Sequence, residues 1–135
     1  MIFVTKKFTF ESAHFLPNYL GACHHMHGHS YELQVTVCGE PIEDRTSPKY
    51  GMILDFKELK KIVKENVVDN LDHSLLNDWF DYPTAEVMVK EIGKQIEKFL
   101  PKNVHLVSTK LYETKDSYAT YLSPSFLSLV KGGLR

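Results

Sequence analysis

Two stretches near the N-terminus alternate between apolar and polar residues, which is the pattern of a β-strand with one buried face. The first covers residues 2–13, and it places Phe8 and Phe10 on the same face. The second covers residues 27–38. Residues 15–26 between them contain Pro17, Asn18 and Gly21, residue types that favour turns. We therefore predict two strands joined by a loop.

Two later segments repeat apolar residues at helical spacing. The first begins at Asp55, which suits an N-cap, and ends near Asn70. The second has Thr84 as its N-cap and ends before Pro101. Their apolar stripes consist of Phe56, Leu59, Ile62, Val63 and Val67 in the first helix and Met88, Ile92, Ile96 and Phe99 in the second.

The C-terminal third predicts a hairpin, with strands over residues 104–114 and 118–122 and a turn over residues 115–117. The tail, residues 123–135, gives no clear assignment. The order is two strands, two helices and two strands, which favours an α+β fold with a four-stranded antiparallel sheet and both helices on one face. We expect residues 1–135 to form a single domain. The other sheet face would be bare, which favours oligomerisation.

Composition narrows the class of protein. The 135 residues carry a formal net charge of −1 without a basic stripe, so nucleic acid is not an expected partner. No run of 18 apolar residues is present, so we expect no membrane span. The first residues lack the features of a signal peptide, and there are only two cysteines. Together these features predict a protein of the reducing cytoplasm.

The densest chemical feature is the segment from Cys23 to His29, which holds four histidines and one cysteine in seven residues. In a strand, His27 and His29 point to the same face because side chains alternate. If the first two strands pair as an antiparallel hairpin, His14 lies opposite them. Three neutral imidazoles leave a fourth zinc position open, which is typical of a catalytic site. The alternative is a polar strand end with solvated histidines.

Two further features carry possible chemistry. Asp72 precedes His73 in a loop, where a carboxylate can orient and charge an imidazole for acid–base work. Glu113 on the third strand can accept two parallel N–H bonds from a planar, guanidine-like ligand. The alternatives are an ordinary polar loop and a solvated strand carboxylate.

Taken in order, five short motifs resemble the 6-pyruvoyltetrahydropterin synthase family. Within that family, the three-residue gap between the cysteine and His-Gly-His is similar to the bacterial 6-carboxytetrahydropterin synthases of queuosine and deazapurine biosynthesis. The motifs are Phe10-Glu11-Ser12-Ala13-His14, Cys23-x3-His27-Gly28-His29, Leu71-Asp72-His73, Pro83-Thr84-Ala85-Glu86 and Tyr112-Glu113-Thr114.

The resemblance implies a role for each of these side chains. It implies Zn²⁺ as the cofactor and a catalytic triad shared across a subunit boundary, with Cys23 as the general base. It also implies a glutamate that anchors the pterin ring. The implied residues are His14, His27 and His29 for zinc; Cys23, Asp72 and His73 for catalysis; and Glu113, Thr84 and Glu86 for substrate.

The implied reaction is that of a lyase. It converts 7,8-dihydroneopterin triphosphate to 6-carboxy-5,6,7,8-tetrahydropterin, acetaldehyde and triphosphate. The implied architecture is the tunnelling fold, in which two trimers stack into a homohexamer. Two alternatives stay open: release of triphosphate alone to give 6-pyruvoyltetrahydropterin, and a zinc-binding oligomer without turnover.

Overall fold

The computed structural model describes residues 1–133, apart from the side chain of Cys23. It contains one sheet and three helices of eight or more residues. The strands are β1 (Ile2–His14), β2 (His27–Gly39), β3 (Ser74–Leu75), β4 (His105–Tyr112) and β5 (Tyr118–Leu122). The helices are α1 (Phe56–Val63), α2 (Ala85–Glu97) and α3 (Pro124–Gly133). The sheet order is β3-β1-β2-β4-β5.

Both predicted helix starts are confirmed by their caps. The Asp55 carboxylate accepts a hydrogen bond of 2.9 Å from the backbone N–H of Lys57. The Thr84 hydroxyl accepts one of 3.1 Å from Val87 at the start of α2. Helix α1 does not stop at Val63, because a π-helical segment and a short α-helical turn continue it, Lys64–Val68 and Asp69–Leu71.

The core lies between one face of the sheet and helices α1 and α2. Every second residue of the central strands is buried there, including Phe8, Phe10 and Tyr31. Two residues expected in the helical stripes are exposed, Phe56 at 50% and Phe99 at 46%. Both lie at helix ends, where a side chain extends past the layer that covers the sheet.

The sheet has five strands, one more than the four antiparallel strands predicted. The two-residue strand β3 pairs with β1 in parallel, with Ser74 opposite Ser12 and Leu75 opposite Ala13. A strand of two residues has no periodicity to detect, and its pairing depends on tertiary contacts. The antiparallel pairs β1–β2, β2–β4 and β4–β5 agree with the prediction.

The tail forms a third helix, so the predicted two-helix arrangement is also incomplete. Helix α3 lies on the second face of the sheet, where the Phe126 ring packs edge-on against Phe3 with centroids 5.5 Å apart. The second face is therefore covered in part. None of the helices in residues 1–133 is both long enough and apolar enough to cross a bilayer.

Candidate functional site

The pairing of β1 with β2 brings three histidines together. His14, the last residue of β1, lies directly opposite His27, the first residue of β2. His29 follows on the same face of β2, because Gly28 takes the alternate position. One ring nitrogen from each of the three side chains lies within 4.8 Å of the others. The predicted cluster therefore forms within a single chain.

Backbone carbonyls fix the tautomers of two of these rings. His14 Nδ1 lies 2.8 Å from the carbonyl oxygen of Pro83, and His27 Nδ1 lies 2.8 Å from that of His25. A carbonyl only accepts, so each Nδ1 carries the proton and donates it. Each Nε2 is then a lone pair directed into the cluster. This is how protein partners orient the imidazoles that bind metals.

The two Nε2 atoms lie close together. Those of His14 and His27 are 3.1 Å apart. Two lone pairs at this distance repel each other unless a cation lies between them. Two imidazole ligands of one tetrahedral zinc ion, each about 2.05 Å from the metal, are separated by roughly 3.3 Å. The observed spacing therefore fits a shared metal.

The third nitrogen is buried without a hydrogen-bond partner. His29 Nε2 has no hydrogen bond among the described residues. Glu113 Oε1 lies 3.2 Å from it, at ion-pair distance, and the contact is not a hydrogen bond. Burial lowers the pKa of His29, opposed by the charge of Glu113 and reinforced by the two other histidines. A neutral, unpartnered nitrogen beside two others suits zinc.

Tyr31 forms the floor under the cluster. It is completely buried, and its ring stacks on Phe10 with centroids 5.1 Å apart. Its hydroxyl lies 3.3 Å from His14 Nδ1, and its ring meets that of His29 edge-on at 5.6 Å. Burial, and then the charge of Glu113, raise the pKa of Tyr31, so the hydroxyl stays protonated. Sequence reasoning missed this residue, because a tyrosine in an alternating strand is typical of the core.

Asp72 and His73 form the contact that their sequence only suggested. His73 Nδ1 lies 3.0 Å from Asp72 Oδ1. The same carboxylate oxygen accepts a bond of 2.9 Å from the backbone N–H of Glu11, which is the largest cause of its lowered pKa. His73 has a positive φ of 57°, and its side chain is 79% exposed. The pair lies at the edge of β1 and makes no hydrogen bond or ion pair with the three histidines within the described part of one chain.

The two predicted substrate residues on α2 occupy different environments. Thr84 caps the helix directly after Pro83, the residue whose carbonyl holds His14. Glu86 lies in the first turn and is exposed. The start of α2 therefore contacts the cluster through the backbone carbonyl of Pro83, which binds His14. The sequence gives no signal for such a contact, because every residue has a carbonyl.

Cys23 lies in the loop between β1 and β2, in a one-turn 3-10 helix, Ala22–His24. It precedes His27 by four residues. Its side chain falls outside the described part of the chain, so its role as a base stays a prediction.

A large cavity lies at the opposite end of the sheet. Its volume is about 630 Å³, and its lining includes Cys38, Lys49 and His105. The three clustered histidines and Glu113 do not line it. The chemistry of the donors, not the size of the cavity, therefore locates the candidate site.

Comparison with known proteins agrees with this geometry. The sequence model described as 6-pyruvoyl tetrahydropterin synthase matches residues 3–124. The chain belongs to the 6-pyruvoyl tetrahydropterin synthase family. The family resemblance seen in the motifs is thereby confirmed. Helix α3 lies almost entirely beyond the matched region.

Three relatives illustrate the range of this family. A 6-carboxy-5,6,7,8-tetrahydropterin synthase of Synechocystis sp. is 35% identical over 132 residues, covering 96% of this chain and all of that protein. A dihydroneopterin monophosphate aldolase of Pyrococcus furiosus is 41% identical over 88 residues, 65% of this chain and 70% of that one. The structure of Caenorhabditis elegans 6-pyruvoyl tetrahydropterin synthase has a TM-score of 0.75 at 24% identity and covers 90% of this chain and 95% of its own. This last similarity confirms the tunnelling fold.

Proposed function

We propose that this protein is a zinc-dependent lyase that converts 7,8-dihydroneopterin triphosphate to 6-carboxy-5,6,7,8-tetrahydropterin, acetaldehyde and triphosphate, in queuosine or 7-deazapurine biosynthesis. One observation carries the proposal: two imidazole lone pairs 3.1 Å apart meet a third, unpartnered imidazole nitrogen beside the carboxylate of Glu113. The name and full coverage of the Synechocystis relative support the choice of product.

In this proposal His14, His27 and His29 would hold zinc. When bound, zinc would supply a Lewis acid that stabilises negative charge developing at the hydroxyl groups of the substrate side chain. Glu113 would accept two N–H bonds from the guanidine-like edge of the pterin ring. Because Glu113 lies next to His29, this anchor would hold the ring while its side chain extends over the histidines.

Proton transfer would depend on Cys23 and on the Asp72–His73 pair. A thiol near cationic groups has a lowered pKa and serves as a base near neutral pH. The bond from His73 Nδ1 to Asp72 leaves His73 Nε2 free to hold a proton.

A second subunit would complete the site. The imidazole of His73 is 79% exposed at the edge of β1 and makes no hydrogen bond or ion pair with the histidine cluster within the described part of its own chain. Strand β5 has an open edge at the other side of the sheet. Open strand edges can pair with another copy, and closing a ring of copies removes them. We propose that rings of three stack into a homohexamer, with Cys23 of one chain close to His73 of the next.

The atoms of the reaction distinguish the rival products. The three-carbon side chain gives one carbon to the carboxylate and two to acetaldehyde. The side-chain carbon attached to the ring carries one oxygen, so the second carboxylate oxygen must come from water. A 6-pyruvoyl product would keep all three carbons and require no water.

The first experiment incubates the zinc-loaded protein with dihydroneopterin triphosphate and identifies pterin and aldehyde by mass. We expect 6-carboxytetrahydropterin and acetaldehyde in equal amounts. A three-carbon pterin product would support the pyruvoyl alternative, and bound zinc without any product would support a non-catalytic oligomer. Because of the Pyrococcus relative, dihydroneopterin monophosphate is a second substrate to test.

A complementation experiment tests the shared site. Cys23→Ala and His73→Ala proteins, each nearly inactive, are unfolded together in equal amounts, refolded and supplied with zinc. Random assembly of closed rings would pair an intact Cys23 with an intact His73 at about a quarter of the interfaces, so about a quarter of the activity should return. A site within one chain would give no recovery in hybrids verified by mass spectrometry.

A further inference from the structure

The segment that connects α1 and α2 is hydrogen-bonded to the last residues of β1. Asp72 accepts from the N–H of Glu11, and the N–H of His73 donates to the carbonyl of the same residue at 2.5 Å. The Ser12 hydroxyl donates to the carbonyl of Leu71. The short parallel ladder of β3 with β1 then follows. The segment that carries the Asp72–His73 pair is therefore bonded to the strand that ends in His14.

Asn77 extends this fastening one step beyond the strand. The backbone N–H of Phe15 donates to Asn77 Oδ1 at 3.1 Å, and Asn77 Nδ2 donates to the carbonyl of Phe15 at 3.0 Å. One side-chain amide thus satisfies both backbone groups of the residue after His14. It takes the place that a longer β3 would have filled, since β3 ends at Leu75.

No other element of the described chain bonds to this residue. The register of β1 with β2 ends at the His14–His27 pair, so Phe15 has no opposite residue on β2. Ends of strands fray when their backbone groups bond only to water. We call the two hydrogen bonds between Asn77 and Phe15 the clamp. The residue before Asn77 is well anchored, because Leu76 is completely buried and its carbonyl accepts a hydrogen bond of 3.0 Å from the backbone N–H of Trp79.

We propose that Asn77 is a positioning residue that holds His14 in place for metal binding. By clamping Phe15 it fixes the backbone on the C-terminal side of His14, so that the ring stays aligned with the carbonyl of Pro83 and with the cluster. Through the same connection it keeps the Asp72–His73 pair at a constant position relative to His14. The inference rests on the proposed metal-binding role of the three histidines.

The test measures zinc affinity alone, without substrate. Apo-protein is titrated with zinc in competition with a chromophoric chelator, at a temperature where the variant is folded. Asn77→Ala should bind zinc about tenfold more weakly than wild type, the lower end of the effect of removing groups that orient metal ligands. The visible absorption bands of the cobalt-substituted protein should also change, because they report ligand geometry.

Asn66→Ala is a matched control. The Asn66 side-chain amide also donates to a backbone carbonyl, that of Ile62 at 2.8 Å, but in the π-helical segment that follows α1. Its loss should reduce stability and leave zinc affinity within about twofold of wild type. An equal loss of affinity in both variants would show a general effect of destabilisation and would overturn the proposal.

The other outcomes are equally distinct. Wild-type zinc affinity and an unchanged cobalt spectrum in folded Asn77→Ala would refute the role of Asn77 and leave the proposed function intact. Absence of zinc binding by the wild type would instead refute the metal site on which the proposed function depends. If Asn77→Ala does not fold, amide exchange in the wild type decides. The N–H of Phe15 should be protected and that of Leu16 should not, and equally fast exchange at both would overturn the clamp.

Discussion

Glu113→Gln is the change that most clearly separates substrate binding from metal binding. The substitution keeps the size of the side chain and removes its charge. The side chain is held next to the cluster because the backbone N–H of Glu113 donates to Ser117 across the β4–β5 turn at 3.1 Å. With 27% exposure and Oε1 3.2 Å from His29 Nε2, the carboxylate is shielded in part and is not a member of the histidine cluster. The variant should therefore keep its zinc.

The expected loss follows from the two bonds proposed for this carboxylate. A hydrogen bond to a charged group contributes about 1.5–3 kcal/mol, and the partial exposure of Glu113 favours the lower value. Two bonds then amount to roughly 3 kcal/mol, which corresponds to about a 100-fold weaker affinity for the pterin. The glutamine carbonyl can still accept one of the two N–H bonds, but its NH₂ group faces the other ring donor, and this repulsion offsets the bond that is kept.

The assay is equilibrium binding of 7,8-dihydroneopterin to the zinc-loaded protein, followed by fluorescence, with metal content measured on the same samples. Glu58→Gln is the matched control, because its carboxylate is engaged by Lys49 at 2.8 Å at the other end of the molecule. We expect normal pterin affinity in the control. Normal pterin affinity in Glu113→Gln with zinc retained would refute the anchor. Loss of zinc from that variant would show that the carboxylate belongs to the metal site instead.

Three further results are expected. Alanine at any one of the three clustered histidines should sharply reduce bound zinc after dialysis, and stoichiometric zinc in all three variants would refute the site. Wild-type zinc affinity should fall on acidification, because ligand imidazoles must be neutral. Because the pKa of Asp72 is lowered in the folded protein, the ionised carboxylate stabilises the fold at pH values above 3.8, its ordinary pKa, and this contribution is lost as the pH falls through the lowered pKa. Asp72→Asn should therefore lose less stability than wild type on acidification, as measured by urea titrations, and an unchanged pH profile would contradict the bond. Phe10→Ala should lower the free energy of unfolding by about 3–5 kcal/mol because the ring is 2% exposed in the core, and a loss below about 1 kcal/mol in urea titrations would contradict that packing.

The features that the sequence predicted are those with a local signal. Alternation of apolar residues located the strands that end at His14 and start at His27, and their pairing followed from an antiparallel hairpin. The caps at Asp55 and Thr84 were predicted because a short polar side chain before an apolar helical stripe has a direct physical role. The same local patterns, with the family motifs, gave the position of the histidine cluster.

The features that the sequence did not predict depend on tertiary contacts. The orientation of His14 comes from the carbonyl of Pro83, and a carbonyl is present in every residue. The clamp by Asn77 and the floor formed by Tyr31 use residue types that are common in turns and cores. Helix α3 was not assigned because its apolar residues, several of them exposed, gave no clear amphipathic pattern, and its contact with the sheet through Phe126 and Phe3 is a tertiary one.

The central claim, that this site makes a carboxylated pterin, is tested most directly by running the reaction of the zinc-loaded protein with dihydroneopterin triphosphate in ¹⁸O-labelled water. We predict a 6-carboxytetrahydropterin that carries one labelled oxygen in its carboxylate, together with one equivalent of acetaldehyde. Cys23→Ala should retain zinc and give neither product. A pterin that keeps its three-carbon side chain, with no aldehyde released, would contradict the account.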